Sequence, residues 1–167
     1  MNTKADIILE DLSEPLTFPV DAYVSREYAE AEGGKLWARV WQHAGRVEDI
    51  PEVGDYITYE IANDSILIVR AAPDTIRAYH NVCPHRGTAL GEGAGTFQGG
   101  RIICPFHGWR WNLQGQVQYV LERQEFRNGE LRDSDVALKE VSVALFAGFV
   151  TIPAYVVEKC ALLFAVA

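Results

Sequence analysis

Two short motifs constrain this chain more than any other feature of its sequence. Each places one cysteine, one histidine, one proline and one glycine within five residues: Cys83-Pro84-His85-Arg86-Gly87 and Cys104-Pro105-Phe106-His107-Gly108. We call these segments the first loop and the second loop. A fold that brings the loops together offers two thiolates and two imidazoles to one metal centre. The sequence therefore predicts a scaffold that holds the two loops side by side, although residues 88–103 separate them.

The four donors are compatible with two kinds of metal centre. Two Cys and two His shared between two irons form a Rieske [2Fe–2S] centre, in which one iron takes the thiolates and the other the imidazoles. A single structural zinc ion also accepts two Cys and two His. In such zinc sites, however, one loop usually supplies both cysteines and the other supplies both histidines. Each loop here carries one of each, so the pattern favours the cluster, with Cys83, His85, Cys104 and His107 as its ligands.

Proline and glycine give both loops a restricted backbone. A proline directly follows each cysteine and a glycine follows each histidine closely, which predicts two rigid turns with N–H groups facing sulfur. The residues expected around the ligands are Arg86, Gly87, Pro105, Gly108 and Trp109. The tryptophans at 109 and 111 are expected to shield the metal centre from water, and their simpler role is to fill the core.

The sequence around the two loops resembles one protein family. Residues 78–87 read AYHNVCPHRG and residues 103–111 read ICPFHGWRW, and both are similar to the large (alpha) subunit of Rieske non-haem iron aromatic-ring-hydroxylating oxygenases. Residues 36–42 and 50–56 are similar to the segment that precedes the Rieske domain in that family. The resemblance extends over about residues 22–150 and corresponds to the N-terminal Rieske part only.

The resemblance implies a cofactor and partners. In the family, a Rieske [2Fe–2S] cluster takes electrons from a reductase or ferredoxin and passes them to a mononuclear Fe(II), where O2 attacks an aromatic or similarly apolar substrate. The implied protein partners are the electron donor and the catalytic domain of the oxygenase or a homo-oligomer, a trimer in the family. Arg86 and Arg110 lie next to the ligands and could dock an acidic donor, although single arginines on loops are more often solvated.

The catalytic half of that family has no room in this sequence. The 167 residues suffice for one ordinary domain. The mononuclear iron needs two His and a carboxylate, and only His80 and His85 show the family's five-residue spacing, with His85 already used by the first loop. We therefore expect no catalytic residue here, and a mononuclear Fe(II) only in a full-length relative. Whether the chain alone is an enzyme stays open.

The C-terminal residues differ from the family. Residues 138–143 and 148–150 resemble the strands that close the family's Rieske domain, and the likeness stops after residue 150. We hypothesise a truncated or frame-shifted oxygenase. The simpler alternative is a short protein whose last residues form an apolar closing strand or helix.

The pattern of residues predicts a mainly β protein, a small antiparallel Rieske-type barrel or sandwich with an N-terminal helix. We expect an arm and helix over residues 1–45, the Rieske [2Fe–2S] domain over 46–152, and an atypical tail over 153–167. Ser25 is expected to cap the helix, and Gly33 and Gly34 to bend or split it. The residues expected to form its apolar face are Tyr28, Leu36, Trp37, Val40 and Trp41. Strands are predicted at residues 56–61, 65–69, 76–79, 101–103 and 116–120, and turns at residues 63–64 and 73–74 separate the first three.

Composition excludes several classes of partner. The formal charge of −8 repels nucleic acid and anionic membranes, so neither is expected to bind. The N-terminus has no secretory pattern, the apolar C-terminal run is too short to cross a bilayer, and we expect a cytoplasmic protein. Cys160, the third cysteine, is expected to be a small buried apolar residue.

Two alternatives to an oxygenase component remain from the sequence. One is a stand-alone Rieske ferredoxin, although the Trp-rich segment before the β region argues for a larger protein. The other is a zinc-stabilised binding module. Metal content separates the zinc module from the other two.

Overall fold

The computed structural model describes residues 19–126 and 129–153. The helices in these ranges are α1 Asp21–Val24, α2 Arg26–Lys35 and α3 Asp133–Val136. The strands are β1 Trp41–Arg46, β2 Asp55–Ile61, β3 Asp64–Ala72, β4 Thr75–His80, β5 Ala94–Thr96, β6 Arg101–Ile103, β7 Arg110–Asn112, β8 Val117–Tyr119, β9 Glu140–Val141, β10 Ala144–Phe146 and β11 Phe149–Pro153. The predicted arm up to residue 18 and the tail after residue 153, with Cys160, lie outside the described residues.

The strands form three antiparallel sheets. The central sheet has the strand order β5-β2-β3-β4-β9, and the two smaller sheets have the orders β1-β11-β10 and β6-β7-β8. This confirms the prediction of a mainly β, antiparallel fold. The predicted domain boundary after residue 45 falls within β1, which pairs with β11 near the other end of the described chain.

Strand β3 lies at the centre of the molecule and is buried on both faces. Ile66 and Ile68 pack in one hydrophobic core, with residues of β1 and β11, whereas Leu67 and Val69 pack in a second core, with residues of β6 and β7. Successive side chains of a strand point to opposite faces, so one strand can serve two cores. The continuous apolar run at 66–69 follows from this arrangement, because neither face of β3 meets water.

Tight hairpins set the register of the central sheet. Strands β2 and β3 pair as far as Ile61 and Asp64, which leaves Ala62 and Asn63 as the turn, one residue earlier than the predicted turn. Ala62 has a φ of 52°, a left-handed conformation that two-residue hairpins require. Strands β3 and β4 close with Ala72 opposite Thr75, so that the turn at residues 73–74 lies where the sequence predicts it.

The N-terminal helix begins as predicted and continues further. The hydroxyl of Ser25 accepts a hydrogen bond from the Tyr28 N–H at 3.3 Å, which confirms the cap. Helix α2 runs through Gly33 and Gly34 to Lys35, so the predicted interruption is wrong. Glycine weakens a helix without forbidding it, and the cap supports the first turn.

The predicted apolar face of this helix is also wrong. Helix α2 has no buried residue, and Trp41 belongs to β1. The periodic apolar residues therefore mark the passage from helix to strand. Within the described ranges, the structure contains no helix both long and apolar enough to cross a bilayer.

Candidate metal centre

The two loops leave the β scaffold at strand ends. The first loop follows β4 after Asn81 and Val82, and the second loop joins β6 to β7. In the first loop, the Gly87 N–H donates to the Cys83 carbonyl at 2.9 Å, and the Cys83 N–H donates to the Thr88 carbonyl at 2.8 Å. The second loop repeats this pattern from Cys104, with its N–H bonded to the Trp109 carbonyl at 2.9 Å. Both loops therefore have the same backbone turn.

Glycine closes each turn for a conformational reason. Gly87 has a φ of +76° and Gly108 has a φ of +69°, both in the left-handed region that L side chains rarely adopt. A Cβ atom added at either position would meet nothing within 4 Å. The backbone conformation, rather than lack of space, is what requires glycine at these two positions.

The loops differ in where the histidine stands within the shared turn. His85 is the second residue after its cysteine, and His107 is the third. The two rings nevertheless meet, with centroids 4.7 Å apart and planes tilted by 58°. The Cys83 thiol interacts with the Cys104 thiol, and both cysteines are buried. The folded chain thus pairs cysteine with cysteine and histidine with histidine across the loops.

Asn81 holds both ends of the segment that contains the first loop. Its Oδ1 accepts hydrogen bonds from the Leu90 N–H at 2.8 Å and the Gly91 N–H at 3.0 Å. Its Nδ2 donates to the Gly91 carbonyl at 2.8 Å and to the Ser65 hydroxyl at 2.9 Å. One buried amide therefore ties the segment that follows the loop to the start of the loop and to β3.

Aromatic rings enclose the histidines. Trp109 stacks on His85 with centroids 4.8 Å apart and an interplanar angle of 6°. Phe126 meets both rings edge-on, at 5.6 Å from His85 and 5.4 Å from Trp109. Phe106 lies 4.0 Å from the His107 ring and is 60% exposed. The His85 ring is therefore packed within aromatic side chains, whereas a half-exposed ring covers His107.

Burial sets the protonation of the donors. It raises the pKa of the Cys83 thiol to about 11, the nearby Cys104 thiol acts in the same direction, and the backbone N–H groups of His85 and Arg86 oppose it. Burial also lowers the pKa of His85, and the positive charges of His107 and Arg86 add to that effect. The neutral imidazole is the form that binds a metal, while the Cys83 thiolate becomes favourable when a cation binds the sulfur.

One buried nitrogen supports the fit of an iron–sulfur cluster. His107 Nδ1 is buried and has no hydrogen-bond partner among the described residues. A buried nitrogen without a partner is costly, and coordination to a metal would remove that cost. Within the described ranges, no three Cys, His, Asp or Glu side chains converge on a point suited to one metal ion. Two neighbouring thiols and two neighbouring imidazoles match the ligand set of a centre with two irons.

The residues predicted around the ligands occupy different environments. Trp109 is buried, Gly108 is partly buried, and Arg86, Gly87 and Pro105 are exposed. Trp111, for which the sequence left both shielding of the centre and core packing open, lies fully in the core, where its indole N–H donates to the Val136 carbonyl at 2.7 Å.

Sequence reasoning missed Phe126 and Asn81. Phe126 is far from both motifs in the sequence, and nothing near it in the chain indicates its contact with His85. Asn81 stands two residues before Cys83, and a buried asparagine next to a glycine-containing loop is the signal that could have identified it.

The fold and the site together define a class of protein: an antiparallel β domain in which two Cys–His loops with the same backbone turn lie side by side. Residues 40–144 match the family described as the Rieske [2Fe-2S] domain. The chain belongs to this family, and its relatives are large subunits of Rieske oxygenases.

Three relatives illustrate the match. The carnitine monooxygenase oxygenase subunit of Escherichia coli K12 is 34% identical over 140 residues, which cover 83% of this chain and 36% of that protein. The large oxygenase component of the naphthalene 1,2-dioxygenase system of Pseudomonas fluorescens is 35% identical over 117 residues, or 69% of this chain and 26% of that protein. A quaternary ammonium Rieske monooxygenase, whose structure bears on carnitine oxidation and inter-subunit electron transfer, aligns with a TM-score of 0.74 at 29% identity, over 83% of this chain and 37% of that one. The chain thus spans between 26% and 37% of the length of these three relatives.

Proposed function

We propose that this chain is the electron-transfer part of a Rieske oxygenase large subunit. It takes electrons from a reductase or ferredoxin and passes them toward a mononuclear Fe(II) held by a catalytic domain. Cys83 and Cys104 ligate one iron of the [2Fe–2S] cluster, and His85 and His107 ligate the other. When bound, the cluster stores one electron between the donor and the mononuclear iron.

The observation that carries the proposal is that the fold brings cysteine beside cysteine and histidine beside histidine, although the two members of each pair come from different loops. Each loop contributes one cysteine and one histidine, yet the thiols lie together and the imidazole rings lie 4.7 Å apart. A zinc ion would need all four donors around one point, whereas two irons need the pairs side by side. The unpartnered Nδ1 of His107 supports coordination at that ring.

The surrounding side chains have distinct roles in this proposal. Trp109 and Phe126 exclude water from His85 and fix its ring plane. Backbone N–H groups of His85 and Arg86 donate to the Cys83 sulfur and stabilise its negative charge. The names of the relatives record both monooxygenase and dioxygenase activity, on carnitine and on naphthalene. Electron delivery is the role that this domain can share with both, so we assign no substrate.

Metal and sulfide analysis of the purified chain tests the proposal. We expect about two irons and two acid-labile sulfides per chain, with a rhombic electron paramagnetic resonance (EPR) signal after dithionite reduction. One zinc ion per chain without sulfide would overturn it in favour of a binding module. Reduced chain should also deliver electrons to a separately expressed catalytic domain of a Rieske oxygenase. A cluster that never supports turnover there would favour a stand-alone ferredoxin.

A further inference from the structure

The outer face of the β6-β7-β8 sheet carries arginine and apolar side chains. Along β6, Arg101 and Ile103 are exposed while Ile102 between them is fully buried. Ile103 lies opposite Arg110 in the register of β6 and β7, and Arg110 lies opposite Tyr119 of β8. Because paired residues share a face, these four side chains form one continuous surface, which we call the arginine face.

Among the described residues, no carboxylate neutralises the charge of the arginine face. Five other arginines of the described residues pair with carboxylates, namely Arg26, Arg46, Arg77, Arg123 and Arg132, whereas the buried Arg70 donates to backbone carbonyls and Arg39 and Arg86 have no carboxylate at salt-bridge distance within those residues. Within those same residues, Arg101 and Arg110 have no carboxylate at salt-bridge distance. The Arg110 guanidinium instead lies over the Tyr119 ring, 5.1 Å from its centroid. Stacking orders the side chain and leaves its N–H groups free to bind a carboxylate.

The arginine face lies directly beside the metal centre. Ile103 precedes Cys104 in the chain, and Arg110 follows His107 by three residues. Three residues span at most about 11 Å, so the Cα atoms of Arg110 and His107 are no further apart than that. A protein bound to this face would therefore place its surface close to the second loop.

We propose that the arginine face is the docking surface for an acidic electron-donor protein. The proposal rests on the function proposed above and names the surface and the chemistry of the partner. One electron leaves the reduced iron–sulfur or flavin group of the donor and is taken up at the centre held by the two loops, and no proton transfer is required.

Charge explains why the partner is acidic. The chain has a formal charge of −8, so an acidic protein is repelled by most of its surface and attracted where unpaired arginines cluster. Arginine and tyrosine are also enriched among the residues that dominate binding energy at protein interfaces. Complementary charge at such a surface raises the association rate most at low salt.

The test measures reduction of the cluster-loaded chain by a reduced plant-type [2Fe–2S] ferredoxin with an acidic surface. The reduction potential of such ferredoxins lies below the Rieske range, so the electron moves in the required direction. Stopped-flow absorbance gives the second-order rate constant at low salt and at about 1 M salt, where the Debye length is about 3 Å. The two test variants are R101E/R110E and the milder R101Q/R110Q. The control is R26E/R39E, which changes the charge by the same amount as R101E/R110E but at residues of α2 and of the segment between α2 and β1.

We expect R101E/R110E to lower the rate constant about tenfold or more at low salt, with a smaller loss in R101Q/R110Q. R26E/R39E should stay within about twofold of wild type, and the differences should shrink at high salt. Equal losses in R101E/R110E and R26E/R39E, or no reduction of wild type by the ferredoxin, would overturn the docking surface. Dithionite reduction of every variant is the separate check, because a wild type without a Rieske EPR signal contradicts the proposed function itself.

Discussion

At the scale of single residues, the proposed metal centre combines two buried thiols with one buried imidazole nitrogen. Cys83 and Cys104 are each 2% exposed, and His107 Nδ1 lacks a hydrogen-bond partner among the described residues. Without a metal there, burying the unpartnered His107 nitrogen would cost free energy with no compensating interaction. Coordination to a metal would offset this cost, because metal binding contributes directly to the free energy of folding.

Replacing His107 by alanine should abolish the cluster. The substitution removes the buried nitrogen that we assign as a ligand, so iron and sulfide content and the EPR signal should fall to near background. His43 provides the matched control, since it is exposed and contacts Phe149 on the β1-β11-β10 sheet. A normal Rieske signal in His107→Ala, or an equal loss in His43→Ala, would contradict the assignment.

Asn81 should contribute to stability as well as to the position of the first loop. Asn81→Ala removes four hydrogen bonds and leaves the buried Leu90 N–H without its acceptor, so we expect a loss of about 2 kcal/mol or more in the free energy of unfolding. Urea denaturation measures this loss. Gln118→Ala, which truncates an exposed amide on β8, should stay within about 0.5 kcal/mol of wild type. Equal losses of unfolding free energy in Asn81→Ala and Gln118→Ala would argue against this role of Asn81.

At the scale of elements, the two loops depend on one shared turn closed by glycine. Gly87→Ala and Gly108→Ala should each destabilise the protein by about 1–2 kcal/mol, because alanine is strained at positive φ. Gly34→Ala is the control: it too has open space within 4 Å, but it lies in α2, where alanine should stabilise by about 1 kcal/mol. Thermal unfolding of the three variants measures the contrast. Equal shifts of the unfolding temperature in all three variants would contradict the explanation from positive φ.

The same elements mark what the sequence could predict. Strands β2, β3 and β4 follow from their apolar and β-branched residues, and the Ser25 cap follows from a local hydrogen bond. The candidate donors could be proposed from the sequence because their spacing within each loop is local. Phe126 could not be placed, since its contact with His85 depends on the path of the chain between them. The continuation of α2 through two glycines depended on a small difference in helix propensity.

At the scale of the whole molecule, β3 separates two cores with different tasks. Leu67 packs in the core that contains Cys83 and Cys104, whereas its neighbour Ile68 packs in the opposite core. Both side chains are fully buried, so stability depends on both cores. Among the described residues, the core with Leu67 contains both proposed cysteine ligands and the core with Ile68 contains neither.

Truncating Leu67 and Ile68 should distinguish effects on stability from effects on cluster retention. Leu67→Ala and Ile68→Ala should each cost about 2–5 kcal/mol of unfolding free energy, because each leaves a cavity in a packed core. Leu67→Ala alone should lose its visible cluster absorbance faster in the presence of an iron chelator, measured below the unfolding transition of both variants. Equal rates of loss would show that the two cores support the centre alike.

The shared turn of the two loops has a consequence for transplantation. Each loop closes on itself, through a bond from the glycine N–H to the cysteine carbonyl and another from the cysteine N–H to the carbonyl that follows the glycine. Such a unit defines its own backbone geometry. A host scaffold must then supply two neighbouring strand ends at the right separation. Grafting both loops onto an unrelated antiparallel scaffold is therefore a realistic route to a designed redox protein, with the one-residue offset between the histidines as the detail that the graft must preserve.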